Sequence, residues 1–154
     1  MTIEDDIAFF ERVPTLGLLG RDALRLLAIG AETRYVHGGE ALFTAGEEAD
    51  AGFVVQEGSF SVVSGLADDQ GEPLVVGRGA LIGELALLAE TKRPATATAL
   101  EPSTVLRIPR TLFLKMLDGF PDAARKLRDI LANRNEQSTT DIYGVVGRLD
   151  TDSS

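Results

Sequence analysis

The sequence contains no cysteine and only one histidine, His37, among its 154 residues. Without cysteine the chain can form neither a disulfide nor a thiolate metal site, which fits a reducing compartment. One histidine cannot build the histidine-rich metal centre of barrel-shaped oxygenases or zinc hydrolases. We therefore expect no metal and no cofactor. We interpret His37, which precedes Gly38 and Gly39, as an exposed turn residue.

Long apolar runs and a surplus of positive charge are also missing. No segment approaches the roughly 18–20 apolar residues that cross a bilayer, and the acidic start MTIEDD differs from a secretion signal. We therefore expect a cytoplasmic protein without a membrane partner. The 15 basic residues against 24 acidic ones give a net charge of -9. This charge argues against nucleic acid as a partner, because nucleic-acid binding needs cations, but it allows one small anion in a locally positive pocket.

The chain length is that of one domain, with helical patterns at both ends of a strand-rich centre. Apolar residues repeat at helical spacing around residues 3–10 and 24–28, and again at about 112–117 and 121–134. Between them, short stretches bounded by glycine and acidic residues predict roughly eight strands, which is typical of an all-β sandwich or barrel. The clearest strand candidates are residues 32–36, 41–44, 52–56, 60–63, 74–76, 96–100 and 104–108. The polar segment 136–154 is predicted to be a flexible tail that follows a domain at 1–135.

One segment, GALIGELALLAETKRPATATA at residues 79–99, combines features that suit an anionic ligand. Gly83 allows close backbone approach, and the residues after it are enough for one or two helical turns, whose first N–H groups attract anions. The planar guanidinium of Arg93 suits two phosphate oxygens at once, and Thr96 could add a hydroxyl donor. Glu84 would repel a phosphate, but it suits a ligand that also offers hydroxyl donors, as a ribose does. These features alone also fit a buried hairpin with a stray ion pair.

The same segment resembles the phosphate-binding cassette of the cyclic nucleotide-binding domain family, which includes bacterial catabolite activators, kinase regulatory subunits and cyclic nucleotide-gated channels. The family cassette runs approximately Phe-Gly-Glu-Leu-Ala-Leu, then a few variable residues, then Pro-Arg-x-Ala-Thr. This chain has IGELALL at 82–88, AETK at 89–92 and RPAT at 93–96, so the spacing from glycine to arginine matches. The flanking stretches GGEALFTAGEEAD, GFVVQEGSFSVV and VLRIPRTLFLKML extend the resemblance over about residues 9–134.

The resemblance implies a fold and a set of residue roles. The fold is a mainly β, eight-stranded jelly-roll barrel flanked by N-terminal and C-terminal α-helices. Glu84 would accept a hydrogen bond from the ribose 2′-hydroxyl, and Arg93 would pair with the cyclic phosphate beside the N–H groups of Leu85 and Ala86. Thr96 would lie near the phosphate and the base, and the helix at about 121–134 would close over the base. The implied ligand-binding residues are Gly83, Glu84, Leu85, Ala86, Arg93, Pro94, Ala95 and Thr96.

The sequence departs from the family at one informative position. Family members often have proline before the arginine and a residue after it that donates its N–H to the phosphate. Here Lys92 precedes Arg93, and Pro94, which has no N–H, follows it. The lost hydrogen bond would cost about 1.5–3 kcal/mol. Members selective for cyclic GMP often have threonine at this position, so Pro94 favours cyclic AMP (cAMP) over cyclic GMP (cGMP).

Three functions follow from these features. The first is a non-catalytic sensor that binds a cyclic nucleotide and signals through its C-terminal helix to a protein partner or a homodimer. The second is a protein-interaction or scaffold module with a degenerate nucleotide pocket, which Pro94 favours. The third is an enzyme on a related barrel, against which stands the lack of a second acid facing Glu84, of a nucleophile–base pair and of a metal set. We predict the first, with no catalytic residues and no nucleic-acid contact.

Overall fold

Helices flank a set of antiparallel strands in the computed structural model, which describes residues 2–65 and 72–137. The helices are α1 (Ile3–Glu11), α2 (Arg21–Gly30), α3 (Arg110–Gly119) and α4 (Pro121–Gln137), with 3₁₀ helices at Leu16–Leu18 and Glu84–Leu87. The strands are β1 (Glu32–Val36), β2 (Ala41–Phe43), β3 (Glu48–Ala49), β4 (Ala51–Glu57), β5 (Phe60–Ser64), β6 (Leu74–Val76), β7 (Leu81–Ile82), β8 (Thr91–Lys92), β9 (Ala95–Ala99) and β10 (Ser103–Pro109). No helix in this described part is long and apolar enough to cross a membrane.

The strands form two four-stranded antiparallel sheets and one short pair. The first sheet has the order β1-β10-β4-β7, the second has the order β2-β9-β5-β6, and β3 pairs with β8. The predicted fold class is thereby confirmed as an antiparallel β-sandwich with helices at both ends of the chain. The described residues contain ten strands rather than the eight expected, because β3, β7 and β8 have only two residues each and show no alternation. Helices occupy at least as many described residues as strands, so the description "mainly β" applies to the core alone.

The central strand β4 is buried on both of its faces. Phe53 and Val55 point into the cluster between the two sheets, where they meet Phe43, Phe60 and other apolar residues. Val54 points the other way, into the cluster that the helices form on the outer face of the first sheet. A strand with helices on one face and a sheet on the other reads as a continuous apolar run, and GFVV in the sequence is such a run.

The N-terminal helices pack where their apolar spacing predicts. Ile7 and Phe10 of α1 and Leu24 and Leu27 of α2 are each 0% exposed, and all four belong to the outer cluster. Helix α1 begins with a capping box, because the Thr2 hydroxyl accepts from the Asp5 N–H and the Asp5 carboxylate accepts from the Thr2 N–H. The two predicted N-terminal helices are therefore confirmed.

The C-terminal helices complete the outer cluster. Phe113 and Met116 of α3 and Leu127 of α4 are buried there. The helical spacing at 121–134 predicts an apolar stripe of Ala124, Leu127 and Leu131, but Ala123 is buried and Ala124 is only half-buried, so the buried stripe begins one residue earlier. Helix α4 runs to Gln137, two residues into the predicted tail at 136–154. Residues 138–154 lie outside the described residues, so the flexible tail stays a prediction.

Candidate functional site

The predicted ligand-binding segment folds as a turn between the two sheets. It leaves the first sheet at β7, passes through Gly83 into the 3₁₀ helix Glu84–Leu87, and returns through β8 to Arg93 and β9. Gly83 has φ 76° and ψ 33°, a left-handed conformation that glycine adopts at little cost. The expectation of one or two helical turns after Gly83 is confirmed, although the turn is 3₁₀ rather than α.

Apolar contacts hold the 3₁₀ helix against β4. Ala86 and Leu87 are 1% and 2% exposed. A Cβ atom added to Gly52 of β4 would lie 3.0 Å from Cγ of Leu87, so the absence of a side chain at Gly52 gives the leucine its place. The side chains of Ala86 and Leu87 thus anchor the helix, and Glu84 and Leu85 remain half-buried at its start.

The two amides predicted to contact a phosphate, those of Leu85 and Ala86, differ in whether they already donate a hydrogen bond within the helix. The Ala86 N–H donates to the Gly83 carbonyl at 3.1 Å, which is the first bond of the 3₁₀ helix. Because i→i+3 bonding begins at the third helical residue, the Leu85 N–H has no acceptor inside the helix. Leu85 is therefore the better placed of the two amides for an anion, and a phosphate role for either amide stays a prediction.

Arg93 is buried between this turn and the inner faces of the sheets, with a side chain 5% exposed. Its Nη2 donates to the Ala51 carbonyl at 2.9 Å, and its Cζ lies 4.3 Å from the ring centroid of Phe43. Its Nη1 lies so close to Gly83 that a Cβ there would be 2.5 Å away. Burial lowers the pKa of Arg93, and the carboxylates of Asp50 and Glu47 oppose that shift. The structure thus brings Arg93 and Gly83, predicted from sequence alone, into direct contact.

The backbone around Arg93 is fixed by the turn that follows β2. The Arg93 N–H donates to the Glu47 carbonyl at 2.8 Å, and the Gly46 N–H donates to the Arg93 carbonyl at 2.8 Å. The Thr96 hydroxyl accepts from the Ala45 N–H at 2.9 Å. That oxygen is therefore used within the fold, although its O–H can still donate to a ligand.

Pro94 and Ala95 lie at the start of β9. Pro94 is exposed, and its carbonyl accepts from the Gly65 N–H at 2.9 Å. Ala95 is half-buried and pairs with Ser64 of β5. The ligand roles predicted for Pro94, Ala95, Thr96 and Glu84 are not tested by these contacts and stay predictions.

The site contains no metal-binding arrangement in the part of the chain that the structure describes. No group of three or more His, Asp or Glu side chains converges there. The buried guanidinium of Arg93 instead lies against Gly83, the residue that precedes the 3₁₀ helix.

A comparison with known families identifies the domain that contains this site. The family model of the cyclic nucleotide-binding domain matches residues 33–120, which is more than half of the chain. The chain belongs to the cyclic nucleotide-binding domain family. The match spans both sheets, the 3₁₀ helix after Gly83 and α3.

Relatives of this cyclic nucleotide-binding domain come from several kinds of protein. The lysophospholipase NTE1 of Pyricularia oryzae is 33% identical over 117 residues, which are 73% of this chain but only 8% of that protein's length. The structure of a cyclic nucleotide-binding-like protein from Brucella abortus is 33% identical, with a TM-score of 0.65 over 74% of this chain and 98% of the other. The N-terminal domain of a transcriptional regulator from Streptomyces coelicolor is 27% identical, with a TM-score of 0.75 over 85% and 94% of the two chains.

The cyclic nucleotide-binding domain also carries charges on its inner face that the sequence analysis missed. Arg107 of β10 forms ion pairs with Glu32 of β1 at 2.9 Å and with Asp50 at 3.0 Å. Arg34 of β1 places its Cζ 5.4 Å from the ring centroid of Phe53. The alternation of ETRYV gave a usable signal, since it puts Arg34 on the same side of β1 as the buried Val36.

A second residue that the sequence analysis missed is Arg110, the first residue of α3, which connects that helix to the 3₁₀ helix. Its Nη1 donates to the carbonyls of Ala49 at 2.9 Å, Ala89 at 3.1 Å and Ala86 at 3.2 Å. Its own N–H donates to the Asp50 carbonyl at 2.8 Å. These bonds join the end of the 3₁₀ helix and the β3 region to the helix that leads into α4. No local sequence pattern predicts them, because the acceptors are backbone atoms distant in sequence.

We expect Arg110→Met to lower the free energy of unfolding by about 1–3 kcal/mol, because it removes a cation that serves three carbonyls. Urea unfolding of the unliganded protein measures this change. Lys115→Met removes one positive charge from an exposed position of the same helix and should change stability by less than about 0.5 kcal/mol. Equal stability of the two variants would show that solvent replaces the Arg110 bonds without loss.

Proposed function

We propose that this domain is a non-catalytic sensor that binds a cyclic nucleotide, with cAMP favoured over cGMP, and signals through α4. The observation that carries the proposal is the placement of Arg93. The residue is 5% exposed, and its guanidinium lies against Gly83 and donates from Nη2 to the Ala51 carbonyl. A buried cation is costly unless an anion or strong acceptors compensate it, so the position suits a phosphate.

The groups around Arg93 fit the parts of a cyclic nucleotide. The Leu85 N–H at the start of the 3₁₀ helix supplies a donor for the cyclic phosphate beside the guanidinium. Glu84, one residue earlier, would accept a hydrogen bond from the ribose 2′-hydroxyl. Pro94 offers neither an N–H nor a hydroxyl, which supports the preference for cAMP.

A shared core connects this site to the C-terminal helices. Leu87 of the 3₁₀ helix belongs to the same apolar cluster as Phe113 and Met116 of α3 and Leu127 of α4. A ligand that binds the site more tightly in one arrangement of these elements shifts the population towards that arrangement. The output would pass through α4 to a protein partner or to a second copy of the chain in the cytoplasm.

Calorimetry of nucleotide-free protein tests the proposal. Bound nucleotide is first removed by unfolding, dialysis and refolding, and the protein is then titrated with cAMP, cGMP and 2′-deoxy-cAMP. We expect binding of cAMP in the micromolar range, weaker binding of cGMP, and a loss of at least about tenfold for the 2′-deoxy ligand, which lacks the donor for the Glu84 carboxylate.

The main alternative is a protein-interaction module with a degenerate pocket. Pro94, which cannot donate to a phosphate, and the Thr96 hydroxyl, which accepts from Ala45, favour it. Absence of heat with millimolar cAMP and cGMP would support this alternative and contradict the sensor. An enzymatic function is a separate possibility, and unchanged cAMP after prolonged incubation with the protein would argue against hydrolysis.

A further inference from the structure

Arg34 points into the space between the two sheets, although it lies on the edge strand β1. It pairs in register with Val105 of β10, and Val105 pairs with Val55 of β4. Val105 and Val55 are both buried in the cluster between the sheets, and residues paired across an antiparallel sheet share a face. The 5.4 Å distance from Cζ of Arg34 to the Phe53 ring confirms this direction.

Arg34 therefore lies near Arg93. Cζ of Arg93 is also 5.4 Å from the centroid of Phe53, so the two guanidinium carbons are no further apart than twice that distance. Arg34, in the middle of β1, is exposed, whereas Arg93 is buried. The ring of Phe53 is thus in contact with one cation that opens to solvent and one that does not.

Arg34, Arg93 and Arg107 differ in how far nearby carboxylates neutralise their positive charges. Arg107 is neutralised by two carboxylates, those of Glu32 and Asp50. Arg34 forms no ion pair with any carboxylate of residues 2–65 or 72–137, and its recorded contact is the Phe53 ring. A cation–π contact of this kind contributes about 0.5–1 kcal/mol at a partly exposed site, which is too little to explain the placement.

Arg34 and Arg93 repel each other in the unliganded protein, although the carboxylates of Asp50 and Glu47 compensate Arg93 in part. Burial is the main cause of the lowered pKa of Arg93, and the positive charges of Arg107 and Arg34 lower it further. An anion placed beside Arg93 would be attracted by both guanidiniums and would remove this repulsion. The arrangement therefore favours anion binding through both residues.

We propose that Arg34 is a second anion-binding residue of the pocket, which attracts the ligand's phosphate from the open end while Arg93 holds it from the closed end. The inference rests on the proposed function, because the ligand is taken to be a cyclic nucleotide. It adds a charged group on β1, outside the segment 79–99, to the residues that determine affinity.

Titration of the Arg34→Gln and Arg34→Lys variants with cAMP tests the inference. We expect Arg34→Gln to bind cAMP about five- to tenfold more weakly than the wild type in low salt, from one Coulomb interaction in a partly solvated pocket. The deficit should shrink in about 1 M NaCl, where the Debye length falls to about 3 Å. Arg34→Lys keeps the charge and should restore most of the affinity.

Arg25→Gln is the matched control, since it removes the same charge from an exposed ion pair with Glu4 on the far helical layer. It should bind cAMP as the wild type does. Thermal melting of the unliganded proteins should show that Arg34→Gln folds as stably as the wild type. Unchanged cAMP affinity in Arg34→Gln, or an equal loss in Arg25→Gln, would overturn the inference and leave the proposed function intact. Absence of cAMP binding in the wild type would instead overturn the proposed function.

Discussion

Arg93→Met is expected to weaken cAMP binding by at least about 30-fold while the unliganded protein stays folded with nearly wild-type stability. Removing one partner of a buried charge pair costs about 2–5 kcal/mol, and each 1.4 kcal/mol is about tenfold in affinity. Here the phosphate would lose the guanidinium that the fold places against Gly83. The effect should appear in the dissociation rate, because the cation is buried rather than exposed at the rim.

The stability of the same variant should move little, for a separate reason. Burying the guanidinium destabilises the wild-type fold. One hydrogen bond to Ala51 and contacts with the rings of Phe43 and Phe53 offset part of that cost. Methionine keeps the ring contacts and removes the buried charge. We therefore expect the free energy of unfolding to change by less than about 1 kcal/mol, in either direction.

Calorimetry with cAMP and urea unfolding without ligand measure the two effects on the same preparations. Lys92→Met is the control, because it removes one positive charge from an exposed neighbour of Arg93 and should leave both quantities unchanged. A variant Arg93→Met that binds cAMP within threefold of the wild type would contradict the role of this residue. Loss of the fold together with binding would show that Arg93 is needed for structure first.

Gly83→Ala is expected to lower cAMP affinity by about 10- to 100-fold, because the added methyl group comes too close to the Arg93 guanidinium. A Cβ there would lie 2.5 Å from Nη1, so the end of the arginine must move. A shift of about 1 Å is enough to spoil bidentate geometry. The left-handed φ of 76° adds a stability cost of about 1 kcal/mol for alanine.

Gly79→Ala separates the two causes in the Gly83 variant. Gly79 has φ 90°, so alanine meets a comparable backbone cost, but nothing lies within 4 Å of its Cβ position. We expect both variants to lose about 1 kcal/mol of stability and only Gly83→Ala to lose affinity. If the two variants bind cAMP equally well, contact between Gly83 and Arg93 has no part in ligand binding.

The sequence predicted the site best where its residues are adjacent along the chain. The glycine, the helical turn and the arginine lie within ten residues, and their family-like spacing was enough to predict that they form one site. The longer strands and all four α-helices were also predictable, because each has enough residues to show its period. The strands β3, β7 and β8 were not, since a two-residue strand depends on pairing with a distant partner.

The residues that the sequence analysis missed depend on contacts across the fold. Arg110 serves carbonyls 21 to 61 positions away in the chain. Arg34 lies near Phe53 because β10 pairs with both β1 and β4 and so brings these two strands into one sheet. The alternation of β1 places Arg34 on the same face as the buried Val36, but it does not show that Phe53 lies beside that face. The order of strands in the sheet, which pattern and propensity do not reveal, is what brings Arg34 to the Phe53 ring.

The doubly buried strand β4 has a consequence for how this protein can change. Its side chains belong both to the apolar cluster between the sheets, through Phe53 and Val55, and to the cluster beneath the helices, through Val54. A substitution at Phe53 that changes the packing between the sheets would also move Val54, and with it the apolar cluster that contains residues of α2 and α3. Substitutions in the turn at 83–96 and in β1 should therefore change ligand preference at a lower cost in stability than substitutions in β4.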